Sequence, residues 1–417
     1  AVQAYAPPQG EVEVLLAEIW RTVLGVEQVG RHDNFFQLGG HSLLAVTLIE
    51  RMRRQGLSAD VRVLFGQPTV AALAAAVGTA HALEVPANRI PPQCRHITPE
   101  LLPLVQLSQE AIEHIVTSVP GGAANVQDIY PLAPLQEGVL YHHLAAQTGD
   151  PYLLHAQFGF ADRSRLQAFV AALQYVIERH DILRTAVFWE GLEQPVQVVV
   201  RQAQLPVDEI VLDPAHGDIA QQLRTRFDAR HYRLDLRRAP LLRLVVADDR
   251  AKQQLVGILL FHHAVLDHIA LEIVGQEMQA VLSGAAETLP AAMPYRNYVA
   301  QVCLGDTQAA HTAFFTRMLG DVDEPTLPLG LQDVQGDGSG LDQATTHVST
   351  ALSARLRAQA SKAGVSVASL HHLAYARVLG TLSGREDVVF GTVLLGRLQG
   401  GVGADRVLGM FINTLPL

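Results

Sequence analysis

The apolar positions near the start of the chain recur at helical spacing. Val12, Leu15, Leu16, Ile19, Val23 and Leu24 form one stripe on an otherwise charged segment, the pattern of a helix with one buried face. A second periodic stretch runs from Ser42 to Gln55, and the breaker Pro68 precedes a third helix expected at 69–77. Short helices spaced this closely predict a small bundle of three or four helices over residues 8–80. Residues 81–97 lose the pattern, are punctuated by Pro86, Pro91 and Pro92, and read as a linker. From residue 98 a short helical stretch leads to the turn Pro120-Gly121-Gly122.

Beyond residue 128 the period switches. Leu166, Phe169, Val170, Leu173, Val176 and Ile177 mark one helix face, with Ser164 as its expected cap. Segments 182–189, 195–200, 241–247 and 254–261 read as strands, and the apolar run 255–261 has the length of a buried strand. Helices at 269–282, 351–362 and 367–382 and a strand at 388–393 follow. Strands alternating with covering helices predict α/β or α+β layers. The expected division is one unit at 98–290 and a further lobe at 291–417.

Composition narrows the classes. Lys+Arg is 31 and Asp+Glu is 41, so the formal charge of −10 argues against nucleic acid or an anionic membrane surface as partner. Apolar residues make up 49%, ample for sizeable cores, which excludes disorder across the whole chain. The two lysines, Lys252 and Lys362, lie in no P-loop or Schiff-base motif. The two cysteines, Cys94 and Cys303, form no CxxC pair, which suits a reducing, cytoplasmic compartment and excludes a cysteine zinc site. No apolar run approaches the ~20 residues of a membrane span.

The string Asp33-Asn34-Phe35-Phe36-Gln37-Leu38-Gly39-Gly40-His41-Ser42-Leu43-Leu44 is the most specific feature of the first unit. Gly39 and Gly40 remove side chains beside Ser42, which opens a helix. A helix N-terminus offers free N–H groups and a positive dipole end, and both favour a phosphate. For a lone Gly-Gly-X-Ser, an ordinary N-cap is the competing reading. The full string resembles the attachment site of peptidyl carrier proteins, the thiolation domains of nonribosomal peptide synthetases. That resemblance covers the first unit and implies phosphopantetheine, joined covalently to Ser42, as cofactor. Leu43, Leu44, Val46 and Ile49 then serve as core or docking surface.

Three His-His pairs occur. His142-His143 and His371-His372 lie in helical stretches and read as polar or packed helix residues. His262-His263-Ala264-Val265-Leu266-Asp267 sits where a strand runs into a loop, a common place for active-site groups. Amide formation from a thioester needs an amine held in line with the carbonyl and a proton acceptor near neutral pH, and histidine suits both tasks. A zinc site from His262, His263 and Asp267 is disfavoured, because adjacent strand residues point to opposite faces. The string resembles the HHxxxDG motif of condensation domains, which are related in fold to chloramphenicol acetyltransferase. The resemblance makes His263 the catalytic histidine beside His262, and Asp267 a structural acid paired with an arginine. Arg184, in Arg179-His180-Asp181-Ile182-Leu183-Arg184-Thr185, is its expected partner, against a plain surface charge on a strand. Leu132-Ala133-Pro134-Leu135-Gln136-Glu137-Gly138, Tyr295-Arg296-Asn297-Tyr298 and Leu408–Leu417 resemble further motifs of the domain in the same order.

The resemblance implies a carrier followed by a two-lobed condensation domain of a nonribosomal peptide synthetase. The carrier's acyl group would pass to an amine on a downstream acceptor carrier, the two entering from opposite faces of a tunnel. Adenylation domains and a phosphopantetheinyl transferase are the implied partners; no metal is implied. Two departures stand out. The family glycine after the aspartate is His268 here, which marks a subtype, a substrate gate or lost activity. The chain also stops at the Phe-Ile-Asn-Thr-Leu-Pro motif, as an excised piece would. An epimerisation domain of the same fold and a catalytically silent docking platform are the alternatives.

Overall fold

The structure, a computed structural model, describes residues 5–40, 42–57, 59, 61–78, 85–304, 308–332, 342–399 and 405–417. The side chains at 42, 43, 46, 61, 62, 65, 395, 398 and 399 lie outside the described set. Contacts divide the chain into two units: 1–82 with 307–405 and 414–417, and 83–306 with 406–413.

The N-terminal part of the first unit is helical. Helix α1 (Gly10–Leu24) buries Leu16, Ile19 and Trp20 and ends at Gly25, whose φ of 66° suits a residue without Cβ. Helix α2 (Ser42–Arg54) buries Ala45, Leu48, Ile49 and Met52 on one face. Helices α3 (Val61–Gly66) and α4 (Val70–Ala75) close the bundle. Thr69 caps α4 by accepting the Ala72 N–H at 3.2 Å. At six residues α3 is too short to show a period, so no sequence signal marks it. Trp20 and Phe35 meet edge to face at 5.1 Å in the middle of this core.

The second unit opens with α5 (Gln109–Ser118), β1 (Val126–Pro131), α6 (Pro134–Ala145), β2 (Leu153–Phe160) and α7 (Arg163–Arg179). The cap of α7 is Asp162, which accepts the Arg165 N–H at 2.8 Å, and not Ser164. An aspartate one residue before the first turn supplies a charged acceptor at the dipole's positive end, and Ser164 falls inside the helix. Residues 182–184, expected as the start of a strand, lie in a 3-10 turn (Asp181–Arg184), and only β3 (Thr185–Phe188) is extended. Strands β4 (Val196–Val200) and β5 (Val207–Ile210), helix α8 (Ile219–Arg226), strands β6 (Leu242–Asp249) and β7 (Gln254–His262), and helices α9 (His268–Leu282) and α10 (Arg296–Leu304) complete it.

Two sheets result, ordered β1-β4-β3 and β2-β7-β6-β5. In the larger one, β7 is antiparallel to both β2 and β6. Its side chains alternate between two cores. Leu255, Leu259 and Phe261 join the cluster containing α7 and α9. Val256, Ile258 and Leu260 join the cluster containing Ile219, Leu223 and Phe227. Both faces are covered, which accounts for an unbroken apolar run. Ile90, Cys94 and Ile97, in the stretch that reads as linker, are buried in a third core under α5.

The remaining residues of the first unit carry α11 (Gln308–Leu319), α12 (Thr350–Ala363), α13 (Val367–Ser383) and β8 (Gly391–Leu395). Strand β8 pairs with β9 (Ile412–Pro416).

Candidate functional site

The end of β7 places the paired histidines on opposite sides. His262 keeps the alternation of Leu260 and Ile258 and is fully buried, while His263 is half-buried. The two rings have separate partners. His263 Nδ1 lies 2.8 Å from the Leu266 carbonyl, which can only accept, so Nδ1 carries the proton and the neutral ring keeps a lone pair on Nε2. The His263 backbone N–H donates to Tyr152 O at 2.9 Å, and the Tyr152 ring meets the His263 ring edge-on at 6.4 Å. His262 faces the interior, where Nε2 lies 3.0 Å from Asp150 Oδ2 and Nδ1 accepts the Ala264 N–H at 3.2 Å. Burial pushes His262 below the ordinary histidine range, against the pull of the Asp150 charge.

Asp150 and His143 carry no signal in the sequence as site residues, because Asp150 lies 112 positions before His262 and His143 lies earlier still. His143, on the last turn of α6, is buried and places Nδ1 2.5 Å from the same Asp150 oxygen. Burial alone would raise the Asp150 carboxyl, but the hydrogen bonds from His143 and His262 outweigh it and hold it well below the usual carboxylate range. His143, of the pair that reads as packed helix residues, is therefore built into the support of the motif, and its neighbour His142 is exposed. His371 is exposed and bonds only Val367 O within its own helix, while His372 reaches Thr392.

Among the described residues, His143, Asp150 and His262 are the one group whose donor atoms lie close enough for a metal, all within 4.8 Å. The 2.5 and 3.0 Å separations are those of N–H···O hydrogen bonds. Two ligands of a tetrahedral ion at ~2.0–2.2 Å stand about 3.3 Å or more apart. The group fits a proton-linked cluster better than a metal site.

Asp267 is fully buried and caps α9, with Oδ1 accepting the Ala270 N–H at 2.7 Å. Its Oδ2 accepts the Phe411 N–H at 3.3 Å, and its own N–H donates to Gly409 O. The acid thus fastens the loop after His263 to segment 406–413. The expected Arg184–Asp267 pair does not form. Arg184 is buried in the 3-10 turn and donates to the carbonyls of Ile177, Val200 and Arg201 and to Gln127 Oε1. Asp181 is the acid that acts on it most, and burial lowers its pKa. The turn takes Arg184 out of the strand and points it at backbone acceptors. His268 is exposed at the first position of α9, next to the capping acid.

In the N-terminal bundle, Ser42 opens α2, whose first turn holds no acid. The side chains of Ser42, Leu43 and Val46 lie outside the described residues; Ile49 is core and Leu44 packs against it. Gly39 has φ of 102°, and a Cβ on Gly40 would overlap the buried Phe35 ring. Gly39 is therefore favoured by the left-handed backbone of the loop and Gly40 by packing against Phe35. A positive helix end with no acid in its first turn fits a phosphodiester on Ser42.

Comparison with known proteins agrees with both halves. The phosphopantetheine attachment site family matches residues 14–77 and the condensation domain family residues 126–417. The chain is 52% identical to malpinin synthetase and to malpibaldin synthetase of Mortierella alpina, across 100% of this chain and only 5% and 8% of theirs. Tyrocidine synthase 3 of Brevibacillus parabrevis is 30% identical over 99% of this chain and 6% of its own length. The condensation domain of the monacolin K polyketide synthase MokA superposes with a TM-score of 0.51 at 20% identity, covering 70% of this chain and 68% of that one. The four-domain nonribosomal peptide synthetase AB3403 gives 0.54 at 18%, covering 70% and 22%. The fold is thus the chloramphenicol-acetyltransferase-like one of condensation domains. The chain belongs to the condensation domain family, with a phosphopantetheine-attachment carrier domain ahead of it.

Proposed function

We propose that this chain is a carrier–condensation pair of a nonribosomal peptide synthetase, with His263 at the reacting centre. The carrier holds an aminoacyl or peptidyl group as a thioester at Ser42, where phosphopantetheine supplies the thiol. The condensation domain passes that group to an amine on a downstream acceptor carrier. The amine nitrogen bonds to the acyl carbon as the carbon–sulfur bond breaks, and the proton lost by the amine passes to His263 Nε2 and from there to the departing thiolate, which leaves as a thiol. The observation that carries this reading is the Nδ1–H bond to Leu266 O, which leaves Nε2 free as an acceptor on a half-exposed ring. General-base help of this kind contributes ~10²–10⁴-fold, and alignment of the amine contributes more.

The limits proposed for the parts are 8–80 for the carrier, 81–97 for the linker, and 98–290 and 291–417 for the two lobes. Adenylation domains and a phosphopantetheinyl transferase are the proposed partners. No helix among the described residues is long and apolar enough to cross a membrane, and the unpaired Cys94 and Cys303 suit a reducing cytoplasm.

The test loads Ser42 with an aminoacyl-pantetheine and adds an acceptor-loaded carrier, with product read by mass spectrometry. Dipeptide should form and should fall by ~10²–10⁴-fold in His263→Ala. Dipeptide formation at full rate in that variant would remove His263 from the chemistry. Deuterium uptake at the α-carbon of the loaded residue without any acceptor would favour epimerisation, and an inert, demonstrably loaded chain would favour a docking platform.

A further inference from the structure

Asp150 lies outside every motif string, is 1% exposed and accepts three hydrogen bonds on its carboxylate. Its Oδ2 takes His143 Nδ1–H at 2.5 Å and His262 Nε2–H at 3.0 Å, and its Oδ1 takes the Tyr152 N–H at 2.9 Å. The tautomer of His262 is dictated from both ends, since Nδ1 accepts the Ala264 N–H. Tyr152 O in turn receives the His263 N–H. One carboxylate therefore holds the side chain of the first histidine and, through Tyr152, the backbone of the second. Gln136 adds a second support: its Nε2 donates to Ala264 O at 2.9 Å, while its Oε1 takes the Ala133 N–H. The end of α6 carrying His143 is itself tied down by Arg233, which donates to the His143 and Ala146 carbonyls.

A buried carboxylate between two imidazoles is a costly way to fill space, because burial disfavours its charge. What it supplies that an apolar contact cannot is direction: a fixed tautomer at His262 and a fixed path for the chain into His263. We propose that Asp150, clamped by His143, is a positioning residue that sets the orientation of the His263 ring for the reacting amine. This rests on the reading of His263 given above. Asp150 touches no reacting atom and acts through His262 and Tyr152.

In Asp150→Asn one face of the group becomes an NH2 and can no longer accept. Either the two histidines or the Tyr152 N–H loses its acceptor, whichever way the amide turns. Two readouts follow on the full chain carrying pantetheine. In ¹⁵N-histidine spectra, wild type shows a His263 Nδ1–H signal held by Leu266 O, and Asp150→Asn loses it. In dipeptide assays, kcat per folded molecule falls about 10- to 100-fold while KM for the acceptor thioester stays level. A second pair guards against a variant that fails to fold. His143→Asn keeps an N–H where Nδ1–H stood and stays close to wild type, whereas His143→Leu loses kcat. A role in packing alone would favour Leu at this buried place. A folded Asp150→Asn with wild-type kcat and an intact ring signal overturns the proposal, as do equal rates for the two His143 variants. The ring spectra need no turnover, so a chain that makes no dipeptide but shows the signal change would sink the condensation reading and leave the positioning one standing.

Discussion

His262 and His263 are neighbours in the chain and opposites in environment. One is sealed beside a carboxylate and the other half-exposed with a free Nε2. Burial holds the folded-state pKa of His262 below that of the unfolded chain. The unfolded chain then binds the extra proton, so this group's contribution to stability is full above about pH 6.5 and is lost as pH falls below it. Asp128 works the other way: burial, against the Arg296 charge, pushes it up to about 6. Stability from that group grows as pH falls from about 6 toward its unfolded value of about 4. The His262 effect is therefore read as a difference. Urea midpoints of wild type minus those of His262→Asn should decline between pH 7.5 and 5, and a flat difference would show that His262 titrates normally. At His268 the exposed ring stands where the family has glycine. If it gates the site, His268→Gly raises kcat/KM for bulky acceptors more than for glycine; a uniform change across acceptors would remove the gate.

The carrier loop and the α7–α9 pair show how single positions fix whole elements. Gly40 faces the Phe35 ring, so Gly40→Ala must move the loop that leads into α2. Overpacking of this kind costs about 1–3 kcal/mol; a lower melting point of the carrier and slower pantetheine transfer to Ser42 would register it. Across α7 and α9, Glu277 accepts from Arg179 at 3.0 and 3.2 Å and from His180 at 2.9 Å. Burial would raise its carboxyl, but these partners hold it below the usual range. Glu277→Ala should cost about 2–3 kcal/mol, the scale of hydrogen bonds to a charged group, seen in chemical denaturation of the chain. A loss under about 0.5 kcal/mol would mean that the two helices are held by their apolar face alone.

Segment 406–413 joins the unit formed by residues 83–306, although a hundred residues of sequence separate them. Phe411 is fully buried between Tyr295, at 5.5 Å, and Tyr298, at 4.4 Å. Tyr295 Oη donates to Met410 O at 2.6 Å, and a Cβ on Gly409 would strike the Tyr295 ring. The late motif thus reaches the loop after His263 through Asp267. Phe411→Ala should cost about 3–5 kcal/mol and lower dipeptide yield together with it; normal stability would show that the segment is not part of that core. Much of this was legible in the chain itself. Helical stripes, the Gly-Gly-His-Ser string and the His-His-x-x-x-Asp string are local, and local spacing dictates period, turn and the choice of reactive groups. The apolar run of β7 announced a buried strand, and the structure covers both of its faces. What sequence could not disclose was pairing across distance. Arg184 had several acids and carbonyls within its reach in principle, and only the 3-10 turn selected the backbone of β4 over Asp267. Asp150 and His143 were ordinary loop and helix residues until β2 paired with β7 and brought them under His262. Hydrogen bonds to buried charge depend on which strands become neighbours, and strand neighbours are chosen by the burial of the whole sheet, not by any one segment.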